Sequence, residues 1–463
     1  MPKRYHRSLF VFRRDLRIDD NTALMEALKH SDEVIPCFIF DPRLSGKSKK
    51  NFNHNAFQFM VESLEDLKKQ FKEKNGRIYF LSGLSEEVIA KLIKKMQIDA
   101  VFVNSDYTPF SRKRDEAISN VCSGSGASFH QFHDYLLHEP GTVLTKKGTP
   151  YVVFTQFFSS SSKMDVHVPV MLQGIKDGNF YTGNLDTADN DIPAEMRIPG
   201  NKHIFLRGGR NNALAVLENL AVFRNYDQDR NYPSLRGTTG LSAHNKFGTV
   251  SIREFYHSVK DELGAEHTLI NELHWRDFFT HIASEFPHVF RHAFKQNFDS
   301  IQWDNAPGLF LAWCSGKTGY PIVDSGMREL NTTGFMHNRV RMITASFLVK
   351  DLHIDWHLGE RYFASKLVDY DSCVNNGNWQ WSASTGADAQ PFFRIFNPWL
   401  QQKKYDPECK YIKKWLPELD TLDAASIHRL EKQSPPKDVD YPNPIVDHAK
   451  ERNRSLVMFR SMG

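Results

Sequence analysis

Four stretches of this 463-residue chain concentrate side chains that could do chemistry. In Asn271-Glu272-Leu273-His274-Trp275-Arg276-Asp277-Phe278, a helical repeat sets Glu272, Trp275 and Arg276 at i, i+3 and i+4, so a carboxylate, an indole and a guanidinium point the same way. Met336-His337-Asn338-Arg339-Val340-Arg341-Met342 repeats the arrangement, with Asn338, Arg341 and Met342 on one face. Asp369 to Ser384 holds Asn375-Asn376-Gly377-Asn378 followed by Trp379 and Trp381. Residues two apart on a helix diverge by about 200°, so these two indoles are expected to face opposite sides and meet different partners. Thr238-Thr239-Gly240-Leu241-Ser242 clusters hydroxyls and backbone N–H groups ahead of a helix, a setting suited to a phosphate or pyrophosphate. Each stretch has a plainer reading alone, as surface ion pairs around a core Trp or Met, or as a capped turn. Together they outline the walls of one cavity, with Arg339, Arg341, Arg394, Lys403 and Lys404 as nearby cations.

Two kinds of element must position these residues. β-Branched and aromatic runs at Ser8–Phe12, Val34–Phe40, Arg77–Leu81, Ala100–Val103 and Ser128–Phe132 predict strands, and the stretches between them predict helices. The clearest helix carries Phe57, Met60, Leu64, Leu67 and Phe71 as one apolar stripe. Strands alternating with helices imply right-handed crossovers and a parallel sheet. Residues 1–133 are therefore expected to form a doubly wound α/β domain with a parallel five-stranded sheet. Residues 134–203, with the polar runs Ser159–Ser162 and Asn184–Asp191, read as a connector. Residues 204–463 are expected to be an all-helical domain.

Composition narrows the function. With 40% hydrophobic and 25% charged residues, the chain is neither a coiled coil nor disordered as a whole. Lys and Arg outnumber Asp and Glu by only 59 to 55, so affinity for a polyanion must rest on a local patch. The five cysteines form no C-x-x-C pair and read as reduced thiols of a cytoplasmic protein. No run approaches the roughly 18 apolar residues of a membrane span, and the basic start, Met1 to Arg7, leads into an apolar run too short for a signal peptide. Arg13-Arg14-Asp15-Leu16-Arg17 after the first strand lacks the glycines of a dinucleotide turn. Gly316-Lys317-Thr318 lacks the first P-loop glycine, Leu311 standing there, and His353 and His357 lack the glutamate of H-E-x-x-H, so no metal is expected. All eight tryptophans lie between Trp275 and Trp415.

A family resemblance rests on several motifs in order along essentially the whole chain. They are Arg13–Arg17 with Asp20-Asn21, Lys246-Phe247-Gly248-Thr249, Asn271-Glu272-x-x-Trp275-Arg276, Gly319–Asp324, Met336–Arg339, and Asn375–Thr385 followed by Arg394–Pro398. The sequence resembles the photolyase/cryptochrome family, most closely its class I cyclobutane pyrimidine dimer photolyases. The resemblance implies light-driven splitting of pyrimidine dimers in DNA by electron transfer from reduced FAD. The alternative is a blue-light receptor of the cryptochrome kind, acting through a protein partner.

Carried over position by position, the resemblance implies FAD binding by Tyr226, Thr238, Thr239, Gly240, Leu241, Ser242, Leu269, Arg341, Asp369, Tyr370, Asp371 and Asn375. Plant-type cryptochromes have aspartate at the Asn375 position and animal-type ones cysteine, so asparagine favours repair. Trp275 and Trp381 match indoles that sandwich a flipped dimer, Glu272 the carboxylate that hydrogen-bonds it, and Asn338 and Met342 the rest of that wall. Histidine at the Asn338 position would mark (6-4) photoproduct repair, and glutamine at Met342 a DASH-type cryptochrome. Trp379, Trp356 and Trp303 match a chain of tryptophans that carries an electron inward. Asn271, Arg276, Phe279, Arg339, Arg394, Gln401 and Lys403 complete the implied DNA surface. Asp106 and Lys246 match positions used by relatives that bind 8-hydroxydeazaflavin as an antenna. That pigment is preferred to methenyltetrahydrofolate, because Phe110-Ser111 and Phe290-Arg291 replace pairs used by folate-binding relatives. A monomer is expected.

Overall fold

The computed structural model describes residues 3–45, 52–172, 179–185, 188 and 191–460. Five parallel strands, β1 (Tyr5–Phe12), β2 (Ser31–Phe40), β3 (Tyr79–Ser82), β4 (Ala100–Asn104) and β5 (Ser128–Phe132), form one sheet in the order β3-β2-β1-β4-β5. The order reverses at β1, as in doubly wound sheets. Helices α1 (Thr22–His30), α2 (His54–Glu73), α3 (Ser85–Met96) and α4 (Pro109–Gly124) make the crossovers. Strand residues alternate between two separate cores: Phe10, Phe12 and Phe38 join the α2 side, and Leu9, Val11 and Cys37 the α3 and α4 side. This is why the strands read as continuous apolar runs rather than alternating ones.

The stretch expected to be turns is more ordered than its composition indicates. It contains helix α5 (Phe154–Ser161), which buries Phe154 and Phe157 against the helical half. Farther on, Phe180 forms a parallel bridge with Val34 at the open edge of β2 and packs on Phe71. Residues 186, 187, 189 and 190 of the polar run Asn184–Asp191 lie outside the described residues.

Beyond Gly209 the described structure is helical. Its framework is α6 (Ser242–Phe247), α7 (Ile252–Leu263), α8 (Thr268–Glu285), α9 (Pro321–Thr333), α10 (Asn338–Lys350), α11 (Trp356–Lys366), α12 (Ser372–Ala383) and α13 (His448–Arg460). Its main core gathers Trp313, Tyr320, Phe347 and Trp399. The two halves are tied by buried charge. Asp134 pairs with Arg17 at 2.7 Å and with Arg253 at 2.8 Å, and Arg253 also reaches Asp20. At the start of α2, the Asn53 amide donates to Ala364 O and Leu367 O at 2.7 and 2.8 Å.

Candidate active site

The helical half encloses a cavity of about 470 Å³, within the range of small-molecule sites. Three long helices wall it. Helix α8, capped by the His267 ring, presents Leu269, Glu272, Trp275, Arg276 and Phe279. Helix α10, capped by the His337 ring, presents Asn338, Arg341 and Met342. Helix α12, capped by the Asp371 carboxylate, presents Asn375, Trp379 and Trp381. The i, i+3, i+4 faces expected from sequence are thus the faces that meet the cavity. Tyr226, Thr238–Ser242, Asp369 and Tyr370 also line it.

One expectation needs correcting. Trp379 and Trp381 were expected to face opposite sides of their helix, yet both line the cavity. Their packing partners do differ: Trp379 is buried against Phe363 and Trp313, whereas Trp381 is half-buried among the aromatics around Phe279. The cavity runs along α12 from Asp371 to Ser382, and the two divergent indoles reach it from opposite flanks of that face.

Ion pairs set the chemistry of the wall. Arg341 donates from Nη2 to Asp369 Oδ2 at 2.9 Å and from Nε to Met336 O at 2.7 Å. Glu272 is paired with Arg230, a residue that sequence reading did not single out. The Arg230 guanidinium also lies 5.5 Å over the ring of Tyr226, four residues earlier. The Asn375 amide donates to Glu360 Oε1 at 2.8 Å, and burial raises the Glu360 carboxyl above its ordinary value. The ring of Trp275 is covered by Phe154 of α5, with centroids 3.6 Å apart and planes 8° apart. Neither Glu360 nor Phe154 was legible, since each reaches its partner across the fold.

The remaining predicted residues are dispersed. Lys246 lines the cavity, and burial, reinforced by Arg14, pulls its ammonium down to about 8. Asp106 lies outside the lining. Burial acts to raise its carboxyl, but Arg14 and Lys246 hold it down at about 2. Asn271, Arg339, Arg394, Gln401 and Lys403 are also outside the lining. Arg339 donates to Asn231 Oδ1 at 2.5 Å and lies 4.5 Å over Tyr405, Arg394 is exposed, and Lys403 pairs with Glu431 at 3.1 Å. Trp356 is buried and stacked on His357, and half-buried Trp303 meets Phe459 edge-on at 6.0 Å. Helix α11 passes close to Trp379 at Gly359, one turn after Trp356: a Cβ there would overlap the Trp379 ring, so glycine permits the approach.

Two acceptors at the wall, Asp369 Oδ1 and Asn245 Oδ1, are buried without a hydrogen-bond partner among the described residues. The cavity therefore combines hydroxyls and backbone near a turn, paired cations, orphan acceptors and aromatic faces. It suits a polar, extended molecule with phosphates and hydroxyls beside a flat group. Among the described residues no cluster of His, Cys, Asp or Glu is arranged to hold a metal ion, and no helix is long and apolar enough to cross a membrane.

Comparison with known proteins agrees with this geometry. Residues 8–172 match the DNA photolyase family model, and residues 269–461 match the FAD binding domain of DNA photolyase. The deoxyribodipyrimidine photo-lyase of Alkalihalophilus pseudofirmus is 36% identical, with 97% of each chain covered. The enzyme of that name from Escherichia coli is 35% identical, with 98% of each covered. Among solved structures, an archaeal photolyase from Sulfolobus tokodaii with two FAD molecules superposes with a TM-score of 0.88 at 41% identity, covering 98% of this chain and 100% of that one. A bacterial class III photolyase from Agrobacterium tumefaciens gives a TM-score of 0.90 at 33% identity, covering 100% and 98%. Motif order, sheet topology, cavity wall and full-length similarity converge, and the chain belongs to the DNA photolyase family.

Proposed function

We propose that this protein repairs cyclobutane pyrimidine dimers in DNA using light. The observation that carries the proposal is the meeting of Trp275, Trp381, Glu272, Asn338 and Met342 on the wall of one cavity. A bulky, uncharged pair of fused pyrimidines extruded from the helix needs aromatic faces and a few polar anchors. Base–aromatic stacking contributes about 1–3 kcal/mol per base. Glu272, oriented by Arg230, supplies a carboxylate acceptor for N–H groups of the lesion, and the Asn338 amide supplies a second anchor.

FAD fits the inner part of the cavity. Thr238–Ser242 offer hydroxyl and backbone donors for its phosphates, Gly240 adopting the left-handed φ of 69° that the turn requires. The partnerless Asp369 Oδ1 and Asn245 Oδ1 would accept from its hydroxyls or ring N–H. Tyr226, Leu269, Arg341, Tyr370, Asp371 and Asn375 complete the set. When bound and reduced, FAD supplies light absorption and an electron that passes to the dimer and returns, with no net redox change. The chain's own residues orient the two partners and exclude water. Trp379, Trp356 and Trp303 form a relay from the half-buried surface to the cavity wall. Asn271, Arg276, Phe279, Arg339, Arg394, Gln401 and Lys403 contact DNA.

Residues 1–133 are read as an antenna-binding unit, 134–203 as the connector and 204–463 as the catalytic unit of a cytoplasmic monomer. The antenna reading is 8-hydroxydeazaflavin at Asp106 and Lys246. A second flavin is the other reading, favoured by the two FAD molecules of the Sulfolobus tokodaii photolyase. Folate is disfavoured because Phe110-Ser111 and Phe290-Arg291 stand where folate-binding relatives carry other pairs.

The test is incubation of the reduced, FAD-loaded protein with dimer-containing duplex, in light and in darkness. Dimers should disappear only in light. Equal dimer content in both arms overturns repair and leaves the receptor reading.

A further inference from the structure

The carboxyl ends of β1 and β4 meet where the strand order reverses, the crevice in which open α/β sheets take ligands. An ion network fills that crevice. Arg14, two residues beyond β1, donates from Nη1 to Asp106 Oδ1 at 3.2 Å and from Nη2 to Asp371 Oδ2. Asp106 lies two residues beyond β4, whereas Asp371 belongs to the helical half and caps α12 through Oδ1 to the N–H groups of Cys373 and Val374. The Tyr135 hydroxyl donates to Asp371 Oδ2 at 2.5 Å. The Arg14 guanidinium lies 3.8 Å from the Tyr135 ring centre and that of Arg276 3.6 Å from it. Two cations cannot share one face at that range, so the phenol ring is sandwiched between them. Tyr135, Arg276 and Asp371 line the cavity, but Arg14 and Asp106 do not.

We propose that Arg14 couples the sheet crevice to the cavity: a change at Asp106 passes through the guanidinium that both carboxylates share to Asp371, and so alters the affinity of the cavity for FAD. The proposal rests on the reading of the cavity as an FAD site. Its physical basis is the rigid fork of the guanidinium, whose two Nη groups point in fixed relative directions. A ligand or substitution that takes the Asp106 carboxylate leaves Nη1 buried without its acceptor, and the plane must turn about Asp371 and Tyr135. Both carboxylates are ionised. For Asp371, as for Asp106, burial acts to raise the carboxyl, but Arg14 followed by Lys246 holds it well below its ordinary value. Because Asp371 also caps the helix that carries Asn375, Trp379 and Trp381, reorienting it moves the wall itself. Linkage makes the effect reciprocal: FAD in the cavity changes the affinity of the crevice for its ligand by the same factor.

The test is titration of FAD into FAD-free protein, with the dissociation constant read from quenching of flavin fluorescence. Wild type, D106A, R14Q and D106A/R14Q are compared, with circular dichroism to confirm folding. D106A, which removes the acceptor outright, should weaken FAD binding roughly fivefold or more, the lower end of coupling between sites, although Asp106 is outside the cavity. In the R14Q background D106A should have no further effect. If R14Q does not fold, R14K, which keeps the charge and loses the fork, supplies the same background. D106A that binds FAD like wild type, or that keeps its effect without Arg14, overturns the coupling. Wild type that binds no FAD overturns the cofactor reading instead.

Discussion

Phe154 and Trp275 stack face to face, with ring centroids 3.6 Å apart and planes inclined by only 8°. One residue comes from the short helix α5 in the connector, the other from the cavity wall. With one face covered by Phe154, the indole is braced and presents its remaining surface toward the cavity. Phe154→Leu keeps the apolar bulk and removes the stacked ring. An aromatic pair contributes about 0.5–1.5 kcal/mol beyond its buried area. Affinity for dimer-containing DNA should therefore fall by roughly twofold to tenfold, with affinity for undamaged DNA unchanged. A binding titration on both duplexes checks this, and an equal loss on both would mean that the stack only supports the fold.

The Arg230–Glu272 pair predicts non-additivity. Both side chains are about one-third exposed, so the pair contributes modestly to stability. Its effect should lie in orientation of the carboxylate. Arg230→Gln and Glu272→Gln should each slow repair, and the double variant should be little worse than the slower single. The coupling energy should lie in the range of about 0.5–3 kcal/mol for contacting residues, measured from light-driven repair rates in a double-mutant cycle.

Asn375→Asp should be destabilising and pH-dependent. The substitution replaces a donor 2.8 Å from Glu360 Oε1 with a second carboxylate. Like charges at that range cannot both ionise, so one of the two titrates well above its ordinary value. A raised folded-state pKa gives stability that is present below the unfolded value and lost as pH rises through the folded one. The variant should therefore approach wild-type melting near pH 4–5 and lose roughly 1–3 kcal/mol by pH 8. Melting curves across that range decide it, and a pH-independent deficit would contradict the like-charge account.

Asp277 gives wild type a pH dependence of its own. Burial pushes its carboxyl up to about 7, with Arg276 opposing. Its Oδ2 accepts from Leu137 N–H at 2.8 Å, while Oδ1 is buried without a hydrogen-bond partner among the described residues. The raised value means that stability from this group is full below the ordinary carboxylate range and declines as pH rises through about 7. Asp277→Asn keeps an acceptor for the backbone and removes the titration. Its melting temperature should change less than that of wild type between pH 5 and pH 8; an unchanged pH profile would place the titration elsewhere.

The sheet was legible because its strands are buried on both faces and stand out as runs such as Leu9-Phe10-Val11-Phe12. The faces of α8 and α10 were legible because Glu272, Trp275 and Arg276, and Asn338, Arg341 and Met342, follow the helical repeat. What could not be read locally was the second partner of each group. Glu360 stands 15 residues before Asn375 and Arg230 stands 42 before Glu272, and neither spacing obeys a helical or strand period. Helix α5 was hidden because its serines mask a short apolar face made by Phe154, Phe157 and Phe158. The divergence expected of Trp379 and Trp381 follows from ideal helix geometry, which says nothing about a cavity wide enough to meet both flanks of one helix.

The Asn53 amide that ties α2 to the helical half finds its acceptors at Ala364 and Leu367, 311 and 314 residues later in the chain. During synthesis at roughly 5–20 residues per second, that amide waits about 15–60 s before its partners exist. The sheet can close early, but the surface it offers to the helical half stays open for most of translation. Nascent chains of this protein are therefore most vulnerable to proteases and to association with one another before residue 367 has left the ribosome.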